Sequence, residues 1–311
     1  MIGSDISQAK AFLEAGELVA VPTETVYGLA GNALNTEAVL SIFRVKNRPA
    51  FDPLIVHTHS FDALGQWVRE VPEKARLLGQ KLTPGPITFL LPRTAAIPDL
   101  VTSGLDTVGI RIPNHPLTLE LLKTLDFPLA APSANPFGYI SPTTAAHVEQ
   151  QLGDKIPYIL DGGPCEVGVE STIVGFEGDQ VIVYRKGGTP VEVIEAIVGP
   201  VEVRTHSSSN PKAPGMLKSH YAPRTPLSLL RDELPENTTR AVGVLSFQRD
   251  YGLAHQEILS PSGDFAEAAR NLFAAMRRLD ALGLDHIYAE LLPEKDLGVA
   301  INDRIRRAAA E

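Results

Sequence analysis

The chain has one cysteine, Cys165, in 311 residues. An intrachain disulfide and any multi-cysteine metal site are therefore excluded, and a reducing cytoplasm is the expected home. Cys165 sits in Gly163-Pro164-Cys165-Glu166 without a basic neighbour, so it reads as a packing residue. No apolar run approaches the length of a membrane span and no charged-then-apolar leader opens the chain, so no membrane association is expected. Positive charge is short as well: 28 Lys and Arg against 37 Asp and Glu leave a net charge of −9. That argues against broad, charge-driven binding of nucleic acid but leaves room for a local basic pocket. The phosphate loop Gly-x4-Gly-Lys-Ser/Thr, the Gly-x-Gly-x-x-Gly turn, the Gly-x-Ser-x-Gly elbow and His-Glu-x-x-His are all missing. His57 and His59 share a strand face, but two histidines without a third ligand make a weak metal site, and no metal is expected from the protein.

What is present suffices for two domains. Apolar residues make up an ordinary 44%, and 25 prolines with 25 glycines point to many shaped turns. The most informative stretch is Lys46-Asn47-Arg48-Pro49-Ala50-Phe51-Asp52-Pro53-Leu54-Ile55-Val56-His57. Residues 36–45 place Val39, Leu40 and Phe43 at helical spacing, and 54–56 read as a short buried strand. Lys46 and Arg48 would leave the helix end and His57 would close the strand, with Pro49 and Pro53 stiffening the turn between them. This layout suits a ligand carrying phosphates or a carboxylate. An exposed basic helix end around a structural turn is the other reading.

Strands and helices alternate on either side. Residues 4–15 read as a helix capped by Ser4, and 18–21 as a strand. Pro22-Thr23-Glu24-Thr25-Val26-Tyr27-Gly28-Leu29 then crowds polar groups behind that strand, where α/β folds place ligands; a helix cap with Tyr27 in the core is the structural alternative. Residues 61–82 look helical in two pieces broken at Pro72, before a rigid turn at 83–86 and a strand at 87–91. In 107–113, Val108, Ile110 and Ile112 alternate with Thr107, Gly109 and Arg111, and an arginine inside a strand needs a partner or a ligand. Ser141 and Pro142 read as the cap and first residue of a helix, which either suits a phosphate or is a cap alone. Strands at 158–160, 170–174 and 181–185 and a helix at 191–198 follow. Residues 205–225 read as a linker whose end, with His220 and Tyr221, touches something. A second unit then alternates strand 241–245, helix 265–282, strand 286–291 and helix 298–310. The polar groups at strand ends bind and polarise, and no covalent nucleophile stands out. That fits nucleotidyl transfer in which a substrate supplies the attacking atom.

Together these motifs resemble the threonylcarbamoyl-AMP synthases of the two-domain type with a YrdC-like catalytic domain. The resemblance rests on residues 22–29, Lys46-x-Arg48-Pro49 with residues 53–57, Pro84-Gly85-Pro86-x-Thr88 and residues 108–113. It continues through residues 131–135, Ser141-Pro142-Thr143, Glu170-Ser171-Thr172-Ile173 and the linker end at 214–223. It implies an α/β fold: a twisted mixed sheet with a large concave active-site cavity over residues 1–204, a linker and lid over 205–225, and a small Rossmann-like domain over 226–311. It implies condensation of L-threonine, bicarbonate or CO2, and ATP to threonylcarbamoyl-AMP and pyrophosphate. Mg2+ would ride on the ATP phosphates, and a downstream tRNA threonylcarbamoyl transferase would consume the product.

By the same resemblance Thr25, His57, Arg111, Ala131 and Ser171 would line the threonine site. Lys46, Arg48, Asp52, Thr107, Ser133, Ser141, Arg185 and Tyr221 would contact ATP, with Lys46, Arg48 and Arg185 offsetting the charge of the transfer. Asp52 departs from the Asn frequent in relatives, and an ionised acid cannot donate to a phosphate. Lys186-Gly187 stands where many relatives have Pro-Gly. Two other readings are an adenylating enzyme that uses carbamoyl phosphate and an RNA-binding module. The first would bring zinc-finger and acylphosphatase-like regions that this sequence does not contain, and the second is poorly served by a charge of −9.

Overall fold

A computed structural model describes residues 1–205, 220–230, 234 and 241–310. Eleven strands form one sheet: β1 (Ile2–Gly3), β2 (Val19–Val21), β3 (Gly28–Asn32), β4 (Ile55–His57), β5 (Ile87–Pro92), β6 (Thr107–Arg111), β7 (Leu129–Ala130), β8 (Tyr158–Leu160), β9 (Thr172–Glu177), β10 (Gln180–Arg185) and β11 (Glu202–Val203). Their spatial order is β1-β8-β2-β3-β7-β4-β6-β5-β9-β10-β11. Pairing is mixed: β4 runs parallel to β6 but antiparallel to β7, and β5 runs antiparallel to β6 but parallel to β9.

Both faces of this sheet are covered, which is why short strands such as β2 are apolar throughout. On one face α1 (Ile6–Glu14) and α5 (Pro116–Thr124) place Ala9, Leu13, Leu121 and Leu122 against Val19, Val21 and Leu160. On the other, α2 (Thr36–Lys46), α3 (Glu73–Leu82), α6 (Ala145–Leu152) and α7 (Val191–Val198) cover a larger core that includes Ile42, Leu78, Val148, Ile194, Val108 and Ile110. The alternation expected for 107–113 holds, with Val108, Ile110 and Ile112 at most 1% exposed. A short α4 (Asp99–Thr102) precedes β6.

The second sheet contains β12 (Leu227–Leu229), β13 (Val242–Ser246), β14 (Gln256–Ile258) and β15 (His286–Ala289), ordered β12-β15-β13-β14 and parallel throughout. α8 (Phe265–Ala281) and α9 (Leu297–Ala308) pack on it through Leu272, Phe273, Met276, Ile301 and Ile305. That core also takes in Val26, Ile140, Val169 and Tyr221, so the small unit shares apolar contacts with the large one.

Three local expectations give way to stronger partners. α1 is capped by Asp5, whose carboxylate accepts from Ser7 N at 2.8 Å, and not by Ser4. The helix expected at Ser141 starts at Ala145 behind Thr144; Ser141 Oγ donates instead to Glu170 Oε1 at 2.6 Å, and Pro142 O accepts from Tyr27 N. The 61–82 segment divides as expected, but its first piece is a short 3-10 turn, Asp62–Gln66. β3 was not anticipated, because Gly-Leu-Ala-Gly-Asn lacks alternation. Most of the linker read at 205–225, residues 206–219, lies outside the described residues.

At Gly168 the backbone of the large unit lies close to α8 of the small one. Its φ is +79°, and a Cβ there would lie 2.4 Å from Arg270 Cα and 2.5 Å from Ala269 O on α8. Gly163 has a similar φ of +82° with nothing within 4 Å. Gly163→Ala should therefore cost only the left-handed penalty, about 1–2 kcal/mol. Gly168→Ala adds a clash with backbone that cannot yield, and should cost at least about 3 kcal/mol. Denaturation midpoints of the two variants check this; equal losses would contradict it.

Candidate active site

The pairing of β4 with β6 puts His57 and Arg111 side by side, as register partners at the C-terminal ends of parallel strands. Ala131 follows β7 and its N–H donates to Ile55 O at 3.0 Å, which brings the 131–133 loop to the same spot. α2 ends at Lys46 on Asn47, a left-handed cap with φ 51°, and the turn that follows carries Arg48 and Asp52 across the strand ends. Arg185 arrives from the end of β10. Arg48, Asp52, His57, Arg111, Ala131 and Arg185 line a cavity of about 60 Å3 with His220 and Tyr221 on its wall, whereas Lys46 does not line it and is bonded to the carbonyls of Ser133 and Asn135.

The concave cavity expected from the sequence lies at these strand ends. On its wall Tyr221 is 2% exposed and lies against Phe273 at 5.5 Å, and its neighbour His220 packs edge-on to Phe137.

Every cation in the site is held away from water. Lys46 is 1% exposed, and its Nζ donates to the carbonyls of Ser133 and Asn135 at 2.5 and 2.6 Å. Burial, reinforced by Arg48, takes its pKa well below the ordinary lysine value. Arg48 donates to Asp52 O and Pro53 O and pairs with Asp52 Oδ2 at 3.0 Å. Burial raises the Asp52 pKa while Arg48 and Lys46 pull it back, and its Oδ1 has no partner among the described residues. Arg111 Nη2 lies 2.8 Å from Glu24 Oε2, an ion pair too poorly aligned to count as a hydrogen bond, and its Nε has no partner among the described residues. Arg185 grips Ser171 at both its carbonyl and its hydroxyl, each at 3.0 Å, and burial lowers its pKa to about 10.

The remaining expected residues divide. Thr25 is buried, with its hydroxyl 2.9 Å from that of Thr23. Ser171 Oγ also meets Thr88 Oγ1 at 2.8 Å, and Ser133 lines the cavity. Ser141 reaches the wall only through Glu170. Thr107 is not brought to the cavity: it starts β6, four residues before Arg111 and about 13 Å away along the strand. Among the described residues no group of three or more His, Cys, Asp or Glu is placed to hold a metal, His57 and His59 included. Glu170 and His220 on the wall, and Glu24 behind Arg111, are residues that the sequence reading did not assign to a substrate. Glu24 and Glu170 stand inside the quoted motifs, but nothing local marks them as counter-charges.

This geometry has counterparts. A family model for Sua5, YciO and YrdC proteins, described as telomere recombination, matches residues 11–187. A second, described as the threonylcarbamoyl-AMP synthase C-terminal domain, matches 189–310. The chain belongs to the threonylcarbamoyl-AMP synthase family. The synthase of Pyrococcus abyssi is 41% identical over 97% of this chain and 93% of its own, and that of Bacillus subtilis 40% over 98% and 92%. A crystal structure of P. abyssi Sua5 complexed with L-threonine superposes with a TM-score of 0.91 at 40% identity, covering 98% of this chain and 94% of that one. Full-length HypF, at 21% identity and a TM-score of 0.54, shares the fold over 60% of the chain. The family models part between 187 and 189, whereas the large sheet runs on to Val203 and the second begins at Leu227.

Burial, with Arg111 adding, takes the His57 pKa down to about 3, and burial does the same to His220. Both rings are neutral in the folded protein near pH 7. Unfolding releases them to ordinary values near 6.5, so the unfolded chain binds more protons between about pH 6.5 and 3, and stability falls as pH drops through that window. Each ring should cost about 2 kcal/mol at pH 5 relative to pH 8. His57→Asn should therefore shrink the pH 8-to-5 loss of unfolding free energy by about 2 kcal/mol, measured in urea; an unchanged loss would contradict the assignment.

Proposed function

We propose that this cavity is where L-threonine, bicarbonate or CO2, and ATP become threonylcarbamoyl-AMP and pyrophosphate. The observation that carries the reading is that Arg111, under-satisfied among the described residues, shares the cavity wall with Arg48 and Arg185, with Lys46 buried beside the 133–135 loop. One arginine suits a carboxylate, and the cluster suits a triphosphate. The curated relatives carry the same name, and a solved one is described as complexed with L-threonine.

In this scheme the threonine carboxylate takes the fork of Arg111 in exchange for Glu24. Neutral His57, Ala131, Thr25 and Ser171 surround the rest of the amino acid. The amine adds to CO2 and loses a proton, giving a carbamate. A carbamate oxygen forms a bond to the α-phosphorus of ATP, the bond from that phosphorus to the bridging oxygen breaks, and pyrophosphate leaves with the electron pair. Lys46, Arg48 and Arg185, with Ser133 and Ser141, hold the phosphates and offset the charge that builds up on them. Mg2+ enters as part of the MgATP substrate, since Asp52 and Glu170 are each already paired with an arginine. Tyr221 and His220 act as the lid that shields the mixed anhydride from water. The product would pass to a tRNA-modifying transferase in the cytoplasm.

The test is pyrophosphate release from MgATP and bicarbonate with and without L-threonine, with the product identified by mass. Threonine-dependent release of threonylcarbamoyl-AMP is expected; release that needs carbamoyl phosphate would overturn the reading. In the same assay Arg111→Lys should raise the threonine KM at least tenfold, a loss of about 1.4 kcal/mol, with the ATP KM within threefold. Equal losses for both substrates would remove Arg111 from the carboxylate role.

A further inference from the structure

Arg304 belongs to α9, in the small unit, yet its side chain is 0% exposed and ends at the catalytic cavity wall. Its Nε donates to Glu170 Oε2 at 3.0 Å, and its Nη1 donates to Lys186 O at 2.5 Å. Its guanidinium carbon lies 5.6 Å from the centre of the Tyr221 ring. These three contacts lead to the nucleotide side, while Nη1 also meets Asp303 Oδ2 at 3.2 Å on its own helix. The other oxygen of Glu170 accepts from Ser141 Oγ at 2.6 Å, Lys186 directly follows Arg185, and Tyr221 is the lid itself.

We propose that Arg304 is a positioning residue for adenylation, a clamp from the C-terminal unit that sets Ser141, Arg185 and Tyr221 for the triphosphate. The active site is then complete only when α9 is docked. This rests on the reading of the cavity given above.

Three physical points support the clamp. A fully buried guanidinium is expensive, and an apolar residue of similar volume would often stabilise a purely structural site as well or better. The planar fork serves a carboxylate, a carbonyl and a ring face at once, which the single ammonium of a lysine cannot do. Tyr221 has φ 66°, a left-handed conformation uncommon for a bulky residue, and it persists because Phe273 stacks on one side and Arg304 lies over the ring. Burial opposes ionisation of Glu170, but Arg304, Arg185 and the Ser141 hydroxyl hold its carboxyl below the usual range. Arg277 of α8 adds a second link from the small unit, donating to Ser141 O at 3.3 Å and to Ile140 O. None of the threonine-side residues Thr25, His57, Arg111 or Ala131 touches either arginine through a described hydrogen bond or ion pair, which predicts an unequal effect on the two substrates.

The experiment compares Arg304→Met, Arg304→Lys and Glu170→Gln in the full chain, varying ATP and threonine separately and titrating ATP directly in parallel. Arg304→Met is expected to raise the ATP KM and the ATP Kd at least tenfold while the threonine KM moves at most threefold. Arg304→Lys should shift the same values less, and Glu170→Gln should reproduce the ATP effect from the other side of the contact. Arg278→Ala, which removes only an exposed pair with Glu257, should change neither. The clamp is overturned if the substituted proteins keep both KM values within twofold of wild type and lose only kcat in proportion to their folded fraction. If Arg304→Met does not fold, the lysine and Glu170 variants decide by the same criterion. Absence of threonine-dependent turnover in the unsubstituted protein would refute the reaction and not the clamp, which the ATP titration then tests alone.

Discussion

Buried positive charge is the constraint on which this structure depends. Lys46, Arg111, Arg185 and Arg304 are each at most 5% exposed, and the side chain of Arg48 is 5% exposed, in a chain with a net charge of −9. An isolated cation in such surroundings would lose its proton or unfold its site. The fold surrounds each one with acceptors instead: backbone carbonyls for Lys46 and Arg48, and the carboxylates of Asp52, Glu24 and Glu170 for the arginines. These contacts are imperfect in a telling way. Among the described residues Asp52 Oδ1, Glu24 Oε1 and Arg111 Nε keep unmet hydrogen-bonding capacity, so the protein's own counter-charges hold the cations without saturating them. In the proposed reaction an incoming anion would meet groups already in place, the preorganisation on which electrostatic catalysis depends.

The topology explains why these groups converge. Parallel pairing of β4 with β6 sets His57 and Arg111 level, and the antiparallel return of β7 delivers the 131–133 loop beside them. A left-handed cap at Asn47 turns the chain sharply after Lys46, and Arg48 then bonds back to its own turn at Asp52 and Pro53. The small unit completes the enclosure. Its helices bring Phe273, Arg277 and Arg304 to the 140–141 loop and to Tyr221, on the wall of the cavity.

Local physics was legible in the sequence where neighbours decide the outcome. The 3.6-residue spacing of Val39 and Phe43 marked α2, the alternation of Val108 and Ile110 marked β6, and the resemblance brought their end residues into one site. The misreadings came where a distant partner wins. Ser141 and Pro142 carry a good capping signal, but Glu170, 29 residues on, takes the hydroxyl, and the helix waits for Thr144. Glu24 lies within a quoted motif, yet its partner Arg111 is far along the chain, so its role as counter-charge had no local signature. Arg304 was hidden most completely. In Asp303-Arg304-Ile305-Arg306-Arg307 it looks like one of several solvated arginines, and only docking against residues 134 positions away buries it.

The most direct test of this account is a crystal structure with L-threonine and a non-hydrolysable ATP analogue bound together. The account requires Arg111 to have exchanged Glu24 for the threonine carboxylate, with Lys46, Arg48 and Arg185 within hydrogen-bond reach of the phosphates beneath a Tyr221 lid. A triphosphate bound elsewhere, with the Arg111–Glu24 and Arg48–Asp52 pairs intact, would contradict it.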